Sequence, residues 1–200
     1  MSLREADQLE ARLRDEPADL GARRRLVDLL WDARELARAT PHLRVLTLAD
    51  PGAVKPWRRL GKAMAAAGVT PAEETASLDG SGELHEEVAV WRRVLELDPA
   101  DQEAKTRLAE LFWEMNRKLD ARPYLAETVG GAAKPAKMWK RLAACHEEAR
   151  DFPAALDAWR QVLVHDPADP RAEARARQLA SDSHAPATQP DEPDDGSDDF

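Results

Sequence analysis

Apolar residues recur along this chain with the spacing of an α-helix. Trp57, Leu60, Gly61 and Met64, for example, lie at positions i, i+3, i+4 and i+7, which places them on one helical face. Strand-forming residues are scarce and never alternate with polar residues over a useful length. Ala, Leu and Arg, which cost the least free energy in a helix, are abundant. The pattern predicts an all-α protein built from amphipathic helices.

Four proline-containing tetrapeptides mark an internal repeat. Pro17 and Pro51 define a period of 34, Pro51 and Pro99 are separated by that period plus an insertion of 14, and Pro99 and Pro167 by twice the period. An Asp-Pro step disfavours helical backbone before the proline, so each tetrapeptide should end a helix. The tetrapeptides are EPAD (16–19), DPGA (50–53), DPAD (98–101) and DPAD (166–169).

The same period aligns three pairs of longer segments in one register. Chance does not produce three matches in one register, so the chain is a duplicated module of two repeats, about 20–101 and 102–169. The insertion lies in the first copy. The aligned pairs are 24–43 with 106–125, 55–63 with 137–145, and 91–101 with 159–169.

The aligned segments resemble the tetratricopeptide repeat (TPR), as found in small bacterial-type scaffold proteins. The first helix of that repeat carries Trp-x2-Leu-Gly-x2-Tyr, which WRRLGKAM (57–64) and WKRLAACH (139–146) approximate. Leu26 and Leu108 fit the other two repeats, but the leading Trp is missing there. The resemblance covers about residues 3–180.

That resemblance implies an all-α solenoid of about four helix-hairpin repeats with terminal capping helices. Pro41 and Pro123 are tolerable if their helices begin near Arg38 and Asp120, which would place each proline in the first turn. The predicted organisation is a solenoid over 1–181, with a capping helix at 2–16, repeats at about 20–53, 54–101, 102–135 and 136–169, a capping helix at 169–181, and a tail at 182–200.

Two segments depart from the repeat. The insertion, Val69–Gly82, contains Thr70-Pro71 followed by two glutamates, which predicts a short helix to about Leu78 before a flexible Asp-Gly-Ser-Gly. After Ser181 the chain is rich in Pro, Asp and Ser and has no aliphatic cluster, which predicts a disordered acidic tail.

The distribution of charge excludes some classes of partner. The formal net charge is −9, but seven of the 38 acidic residues lie in 181–200, and the rest of the chain has 31 acids against 29 bases. A nearly neutral body with an acidic tail argues against nucleic-acid binding, which needs a basic surface. No apolar run approaches the ~18 residues of a membrane span, and no segment resembles a signal peptide. We therefore expect a cytoplasmic protein without membrane insertion.

No residue pattern predicts catalysis, a metal site or a cofactor. The single cysteine, Cys145, excludes an intramolecular disulfide and a cysteine-based zinc site. It neighbours His146 on a helix, but successive side chains point roughly 100° apart, so the two do not form a nucleophile–base pair. The five histidines lack metal-ligand spacing, and there is no phosphate-binding glycine loop. We expect a protein that is not an enzyme.

The surface opposite the apolar face of each first helix should line the concave groove, as the resemblance implies. One column forms an arginine ladder: Arg25, Arg59, Arg107, Arg141 and Arg175. Trp31 and Trp113 share another column, flanked by acids, and either pack against a neighbouring helix or act as exposed binding anchors. The predicted partner-binding residues are Arg24, Arg25, Lys55, Arg58, Arg59, Lys62, Arg107, Lys137, Lys140, Arg141, Trp31 and Trp113.

The cationic columns have two interpretations. They either form a salt-bridged helix surface, for which Arg24–Asp28 and Arg107–Glu110 have the helical spacing, or bind an acidic peptide. Lys55/Arg59 and Lys137/Arg141 also look like half of the carboxylate clamp of one TPR subclass, but its asparagines are absent. The sequence favours a non-enzymatic scaffold or adaptor that binds a protein or peptide, possibly an acidic one. The alternative is a secretion-type chaperone for an export substrate.

Overall fold

A computed structural model describes residues 3–67 and 81–182 of the chain. These residues form ten α-helices, with one short 3-10 helix at Val129–Gly131 and no strand, so the predicted all-α fold is confirmed. The helices are α1 (Leu3–Asp15), α2 (Leu20–Asp32), α3 (Leu36–Ala49), α4 (Val54–Ala67), α5 (Ser81–Leu97), α6 (Gln102–Glu114), α7 (Lys118–Thr128), α8 (Pro135–Glu148), α9 (Phe152–His165) and α10 (Pro170–Asp182).

The chain divides into two compact units, Met1–Gly130 and Gly131–Phe200. In the first unit, α2, α3 and α4 share an apolar core that includes the fully buried Leu26, Leu30 and Leu43. In the second unit, the core lies between α8, α9 and α10 around the buried Trp159, Val162 and Ala172. Most apolar residues of the repeat motif lie in these two cores.

The Asp-Pro tetrapeptides separate helices as predicted. The segment 50–53 lies between α3 and α4, 98–101 lies between α5 and α6, and 166–169 lies between α9 and α10. The backbone N–H of Asp50, Asp98 and Asp166 each donates to the carbonyl four residues earlier, which closes the preceding helix. The proline then prevents the helix from continuing.

Three tight turns join the helices within a hairpin. Arg34, Asn116 and Arg150 adopt left-handed backbone conformations, with φ of 61°, 54° and 56°. After each of them, the next backbone N–H donates to a carbonyl five residues earlier, as Glu35 does to Leu30 at 2.8 Å. This is the hydrogen bond of a Schellman motif, and it closes the first helix of each hairpin.

The predicted starts of α3 and α7 are wrong by two residues. The turns at Arg34 and Asn116 end so soon that the helices begin at Leu36 and Lys118. Pro41 and Pro123 therefore lie at the sixth helical position, inside the helix. An internal proline lacks the N–H that would bond to the carbonyl four residues earlier, so these two helices contain an interrupted hydrogen-bond ladder.

Arg23 occupies the position of the missing tryptophan in the first repeat. Trp57 occupies the equivalent position one period later and donates its indole N–H to the carbonyl of Pro51 at 3.1 Å. Arg23 is buried and donates from Nη2 to the carbonyl of Pro17 at 2.6 Å, and Pro17 lies one period before Pro51. The guanidinium therefore supplies the donor that the indole supplies in the next repeat. Its Nη1 also lies 3.0 Å from Nδ1 of His42.

Two predicted segments fall mainly outside the described residues. The prediction for the insertion lies outside them except at Ser81 and Gly82, which belong to α5 rather than to a flexible linker. The predicted acidic tail also lies outside them beyond Asp182, the last residue of α10.

Candidate functional site

Three helices are preceded by an aspartate that both caps the helix and forms an ion pair with a cation. Asp19, Asp101 and Asp169 precede α2, α6 and α10, and each accepts the backbone N–H three residues later at 2.9 Å. Each is the fourth residue of a proline tetrapeptide. A carboxylate at this position satisfies an unpaired N–H and interacts favourably with the helix dipole.

Arg58 is bound by one of these capping carboxylates. Its Nε donates to Asp101 Oδ2 at 2.6 Å, and its Nη2 lies 3.2 Å from Asp98 Oδ2. The Asp101 side chain is only 4% exposed. Arg58 thus links α4 to the start of α6, and its predicted contact with a partner stays a prediction.

Lys140 makes the equivalent contact in the second unit. Its ammonium is paired with the carboxylate of Asp169, which caps α10. The hydrogen bond from Lys140 lowers the pKa of Asp169, and the backbone N–H of Ala172 lowers it further. We call each such pair, Arg58–Asp101 and Lys140–Asp169, a cap pair.

The first repeat has the cation of a cap pair without its carboxylate. Arg24 lies one period before Arg58, but the tetrapeptide DPGA places Ala53 where the other has Asp101. Arg24 is exposed and forms no ion pair with any described residue. Proline occupies position 56, the third residue of α4, so the N–H that a capping aspartate would bind is also absent.

Arg24 lines a cleft of about 300 Å³ between α2, α3 and α4. Its apolar lining comes from Val27, Leu43, Leu46, Ala53 and Pro56. Its charged lining comes from three cations and two carboxylates: Arg24, Lys55, Arg59, Asp28 and Asp50.

The three cations of the cleft differ in their partners. Arg59 Nη1 lies 2.5 Å from Asp28 Oδ1, so this pair is neutralised within the chain. Lys55, like Arg24, is exposed and forms no ion pair with a described residue. The cleft thus combines an apolar floor with two cations available to a ligand.

The arginine ladder is held by acids of neighbouring helices. Arg25 pairs with Glu5 at 3.1 Å, Arg107 with Glu87 at 2.7 Å and Arg175 with Glu147 at 2.8 Å. Arg59 of the ladder pairs with Asp28. Arg141, the remaining member, is half-buried and also has an interaction within the chain. These contacts favour the salt-bridged interpretation at those positions, although binding by the ladder itself stays a prediction.

Two other predicted cations lie at the protein surface. Lys62 pairs with Glu103 at 2.8 Å between α4 and α6. Lys137 is exposed on α8. Of the twelve predicted residues, the structure brings Arg24, Lys55 and Arg59 to one cleft. Lys62 and Arg107 line a second cleft, together with Trp91 and Glu110.

Comparison with known proteins supports the fold and leaves the function open. No protein-family model and no curated protein sequence matches the chain. Among solved structures, YrrB, described as a TPR protein with an unusual peptide-binding site, superposes with a TM-score of 0.58 at 15% identity over 89% of this chain and 84% of its own. MamA from Desulfovibrio magneticus RS-1 superposes with a TM-score of 0.53 at 16% identity over 83% and 86%. The chain has the tetratricopeptide repeat fold.

Trp31 and Trp113, each predicted either to pack within the chain or to bind a partner, are both half-buried. Trp31 packs against the core of the first unit, and the guanidinium of Arg59 lies 5.1 Å from the centre of its ring. That geometry is a cation–π contact, which helps to hold Arg59 at the cleft. Trp113 also has interactions within the chain.

Two hydrogen-bond networks around buried tryptophans could not be recognised from the sequence. In the first unit, Trp91 Nε1 donates to Glu87 Oε1 at 3.0 Å, and Arg107 binds both oxygens of Glu87 at 2.7 and 3.2 Å. In the second, Trp159 Nε1 donates to Glu147 Oε1 at 2.7 Å, and Glu147 also binds Arg175. The two arginines belong to the ladder, so part of it serves to hold buried tryptophans.

Three further observations concern metal ligands, the cysteine and the length of the helices in the described part of the chain. It contains no group of three or more His, Cys, Asp or Glu that could hold a metal ion. Cys145 is buried, and His146 Nδ1 lies 3.5 Å from Asp151 Oδ2 rather than beside a nucleophile. None of the described helices is both long and apolar enough to cross a bilayer.

Proposed function

We propose that this chain is a non-enzymatic protein-interaction module that binds an acidic segment of a partner protein in the cleft between α2, α3 and α4. The observation that carries the proposal is the missing carboxylate at Ala53. A carboxylate supplied by the partner would take the place that Asp101 and Asp169 occupy in the other cap pairs.

The repeat register supports this assignment. Where Arg58 and Lys140 occur, an aspartate follows in the tetrapeptide at the end of the repeat. In the third repeat the cation is absent, because position 106 is Thr, and the aspartate is absent as well, because position 135 is Pro. In the other three repeats, therefore, the cation and the aspartate are either both present or both absent, whereas Arg24 has no such aspartate. An unpaired cation at this one position is explained if its carboxylate comes from outside the chain.

The chemistry of the cleft supports a peptide rather than a free anion. Arg24 and Lys55 can donate charge-assisted hydrogen bonds to a carboxylate, and an arginine can do so bidentately. Val27, Leu43 and Leu46 border the same space, so an apolar residue next to the carboxylate would be buried at once. We therefore expect a segment with Asp or Glu beside an aliphatic side chain.

The test is a titration with defined peptides. Fluorescein-labelled eight-residue peptides with Asp or Glu next to Leu would be compared with matched peptides carrying Asn or Gln. We expect saturable binding of the acidic peptides, followed by anisotropy, with an affinity that falls as salt rises. Equal binding of the neutral peptides, or no binding of either set, would contradict the proposal.

Ala53→Asp provides the sharpest variant, because it restores the missing carboxylate within the chain. We expect it to weaken binding of the acidic peptide by pairing with Arg24. Ala53→Asn is the matched control, because Asn has nearly the same size and shape as Asp but carries no charge. If both variants bind the peptide as the parent does, Arg24 is not the receptor of the carboxylate.

Charge-removal variants identify the cations directly. Arg24→Gln and Lys55→Gln should each weaken binding, with a loss on the order of 1–3 kcal/mol for a charge-assisted hydrogen bond. Arg4→Gln and Arg14→Gln remove exposed arginines of α1, which does not line the cleft, and should leave binding unchanged. An equal loss in all four variants would indicate nonspecific attraction by net charge.

A further inference from the structure

One charged group of the cleft between α2, α3 and α4 has no part in the proposed binding of an acid. Arg59 and Asp28 neutralise each other, and the proposed function assigns Arg24 and Lys55 to the partner's carboxylate. Asp50, the remaining member of the charged lining, is exposed and forms no ion pair with any described residue. The cleft therefore offers a ligand one unpaired carboxylate as well as two cations.

The equivalent aspartate of the next repeat shows what a side chain at this position can bind. Asp98 is the first residue of its proline tetrapeptide, as Asp50 is of DPGA. Its Oδ2 lies 3.2 Å from Arg58 Nη2, and the same guanidinium also binds Asp101. In the first repeat the corresponding arginine, Arg24, is not paired with Asp50, so both charges are open to a ligand.

The carboxylate of Asp50 disfavours a ligand whose charged side chains are all acidic. A partner carboxylate held by Arg24 and Lys55 would share the cleft with it, and like charges repel more strongly where apolar side chains border the space. A lysine or arginine of the partner would remove this repulsion and form a second ion pair. A segment that satisfies all three charges therefore has Asp or Glu for the two cations and a base for Asp50.

We propose that Asp50 binds a lysine or arginine of the same partner segment, so that the cleft selects a segment carrying both an acid and a base. This inference rests on the proposed function, because the acid is what places the segment in the cleft. A compact space of about 300 Å³ is about 8 Å across, which an extended chain covers in two or three residues. The base should therefore lie two or three residues from the acid, and a segment with acids alone should bind less tightly.

The test compares acidic peptides that differ in one residue. Each fluorescein-labelled eight-residue peptide contains Asp next to Leu and carries either Lys or Gln two or three residues from the Asp, on one side of it or the other. We expect the best Lys peptide to bind about two- to fivefold more tightly than its Gln counterpart, the range for a partly exposed ion pair. If Lys gives no advantage over Gln at any of these positions, the inference is wrong.

Asp50→Asn removes the charge and keeps the size of the side chain. We expect the Lys and Gln peptides to bind this variant equally, because the advantage of Lys depends on the carboxylate. Asp166→Asn is the matched control and should keep the full advantage of Lys. Asp166 is the first residue of its own tetrapeptide and forms no ion pair with a described residue, but it does not line the cleft. If Asp50→Asn changes the binding of both peptides by the same factor, Asp50 acts only through its long-range charge and does not bind the base.

Asp50→Lys reverses the charge and should reverse the preference. We expect this variant to bind a peptide with Glu at the position of the Lys more tightly than the Lys peptide, an outcome that a structural role of Asp50 does not explain. A variant that still prefers Lys would overturn the inference.

The outcomes with the parent chain separate this inference from the proposed function. If the Gln peptides bind and Lys adds nothing, the site for the acid is present and only the assignment of Asp50 is wrong. If neither the Gln nor the Lys peptides bind, the proposed function and this inference fail together.

Discussion

The two tryptophan networks lie at equivalent places in the two halves of the chain and are built differently. Trp91 and Trp159 are two periods apart, as are Arg107 and Arg175, so both pairs occupy the same repeat positions. The glutamate that joins them does not. Glu87 belongs to the second helix of its repeat, α5, whereas Glu147 belongs to the first helix, α8.

A glutamate and an alanine exchange positions between the two halves. The position equivalent to Glu147 in the first half is Ala65, and the position equivalent to Glu87 in the second half is Ala155. In each half, therefore, one of the two positions holds a carboxylate and the other holds alanine. In both halves the buried indole N–H and the ladder arginine share one carboxylate acceptor, but a different helix of the repeat supplies it.

The two networks also differ in how closely the helices approach. A Cβ atom at Gly61 would lie 2.5 Å from Cε2 of Trp91, closer than real contacts allow. The equivalent residue in the second half is Ala143, which is fully buried in the same core as Trp159. The first network is also the more deeply buried one, since the Glu87 side chain is 4% exposed and that of Glu147 is 23% exposed.

The largest expected effect comes from removing the shared carboxylates. Glu87→Ala leaves a buried indole N–H and a mostly buried guanidinium without an acceptor, so we expect the free energy of unfolding to fall by about 3 kcal/mol. Glu147→Ala should cost about 1–2 kcal/mol, because water reaches that site more easily. Urea denaturation measures both values. Equal losses would show that the difference in burial has no energetic consequence.

The exchange itself can be rebuilt in the first half. The double variant Ala65→Glu/Glu87→Ala places the carboxylate on α4, as in the second half, and should recover part of the stability lost in Glu87→Ala. A double variant that is less stable than the single one would show that the two halves are not interchangeable.

The next-largest effect is expected at Gly61, where the ring of Trp91 approaches the backbone of α4 closely. Gly61→Ala must displace the Trp91 ring, so it should lower the free energy of unfolding by about 1–3 kcal/mol, although alanine is the better helix former. Trp91 fluorescence should change with it. Gly130→Ala is the control, because a Cβ there meets no atom within 4 Å. A neutral or stabilising Gly61→Ala would contradict the contact.

Acid should affect the two units in different pH ranges. Burial lowers the pKa of His42, and the positive charges of Arg23 and Arg38 lower it further, while Glu10 opposes them. The unfolded chain then binds a proton near pH 6.5 before the folded chain does, so stability falls as pH drops through 6.5. His42→Gln should remove this fall, measured by urea denaturation between pH 5 and pH 8.

Glu147 in the second unit should respond at lower pH. Burial raises its pKa, but hydrogen bonds from Arg175 and Trp159 outweigh that effect and leave the pKa lowered. Its contribution is therefore present above the ordinary value of 4.5 and is lost as pH falls below it. Glu147→Gln should flatten the stability profile there without changing the fall near pH 6.5. A change at pH 6.5 instead would contradict the assignment.

The smallest effect concerns the three left-handed turns. Arg34 and Arg150 carry a Cβ in a conformation that costs about 1 kcal/mol for most residues, whereas Asn116 tolerates it. Arg34→Gly and Arg150→Gly should each raise the free energy of unfolding by up to about 1 kcal/mol, and Asn116→Gly should change it less. Thermal unfolding measures the three variants side by side. Destabilisation by Arg34→Gly would show that its side chain matters more than its backbone.

The sequence predicted many of the residues that line the candidate site, but not their ion pairs. The period predicted the columns that contain Arg24 and Arg58, and Ala53 stands where the other three proline tetrapeptides have Asp. The carboxylates that pair with Arg58 and Lys140 come after the next helix along the chain, so a spacing within one helix does not predict these pairs. Only folding brings those carboxylates to the cations and leaves Arg24 without one.

The helices, the turns at the proline tetrapeptides and the repeat period could be predicted from the amino-acid sequence, because these depend on local backbone preferences and on which residues share a helical face. The packing of the helices was needed to show which charges already have a partner. The ladder is uniform in sequence, yet Arg107 is held by Glu87 on α5 and Arg59 by Asp28 on α2. Ion pairing depends on distances of a few ångströms between side chains far apart in the chain, and those distances exist only after the helices have packed.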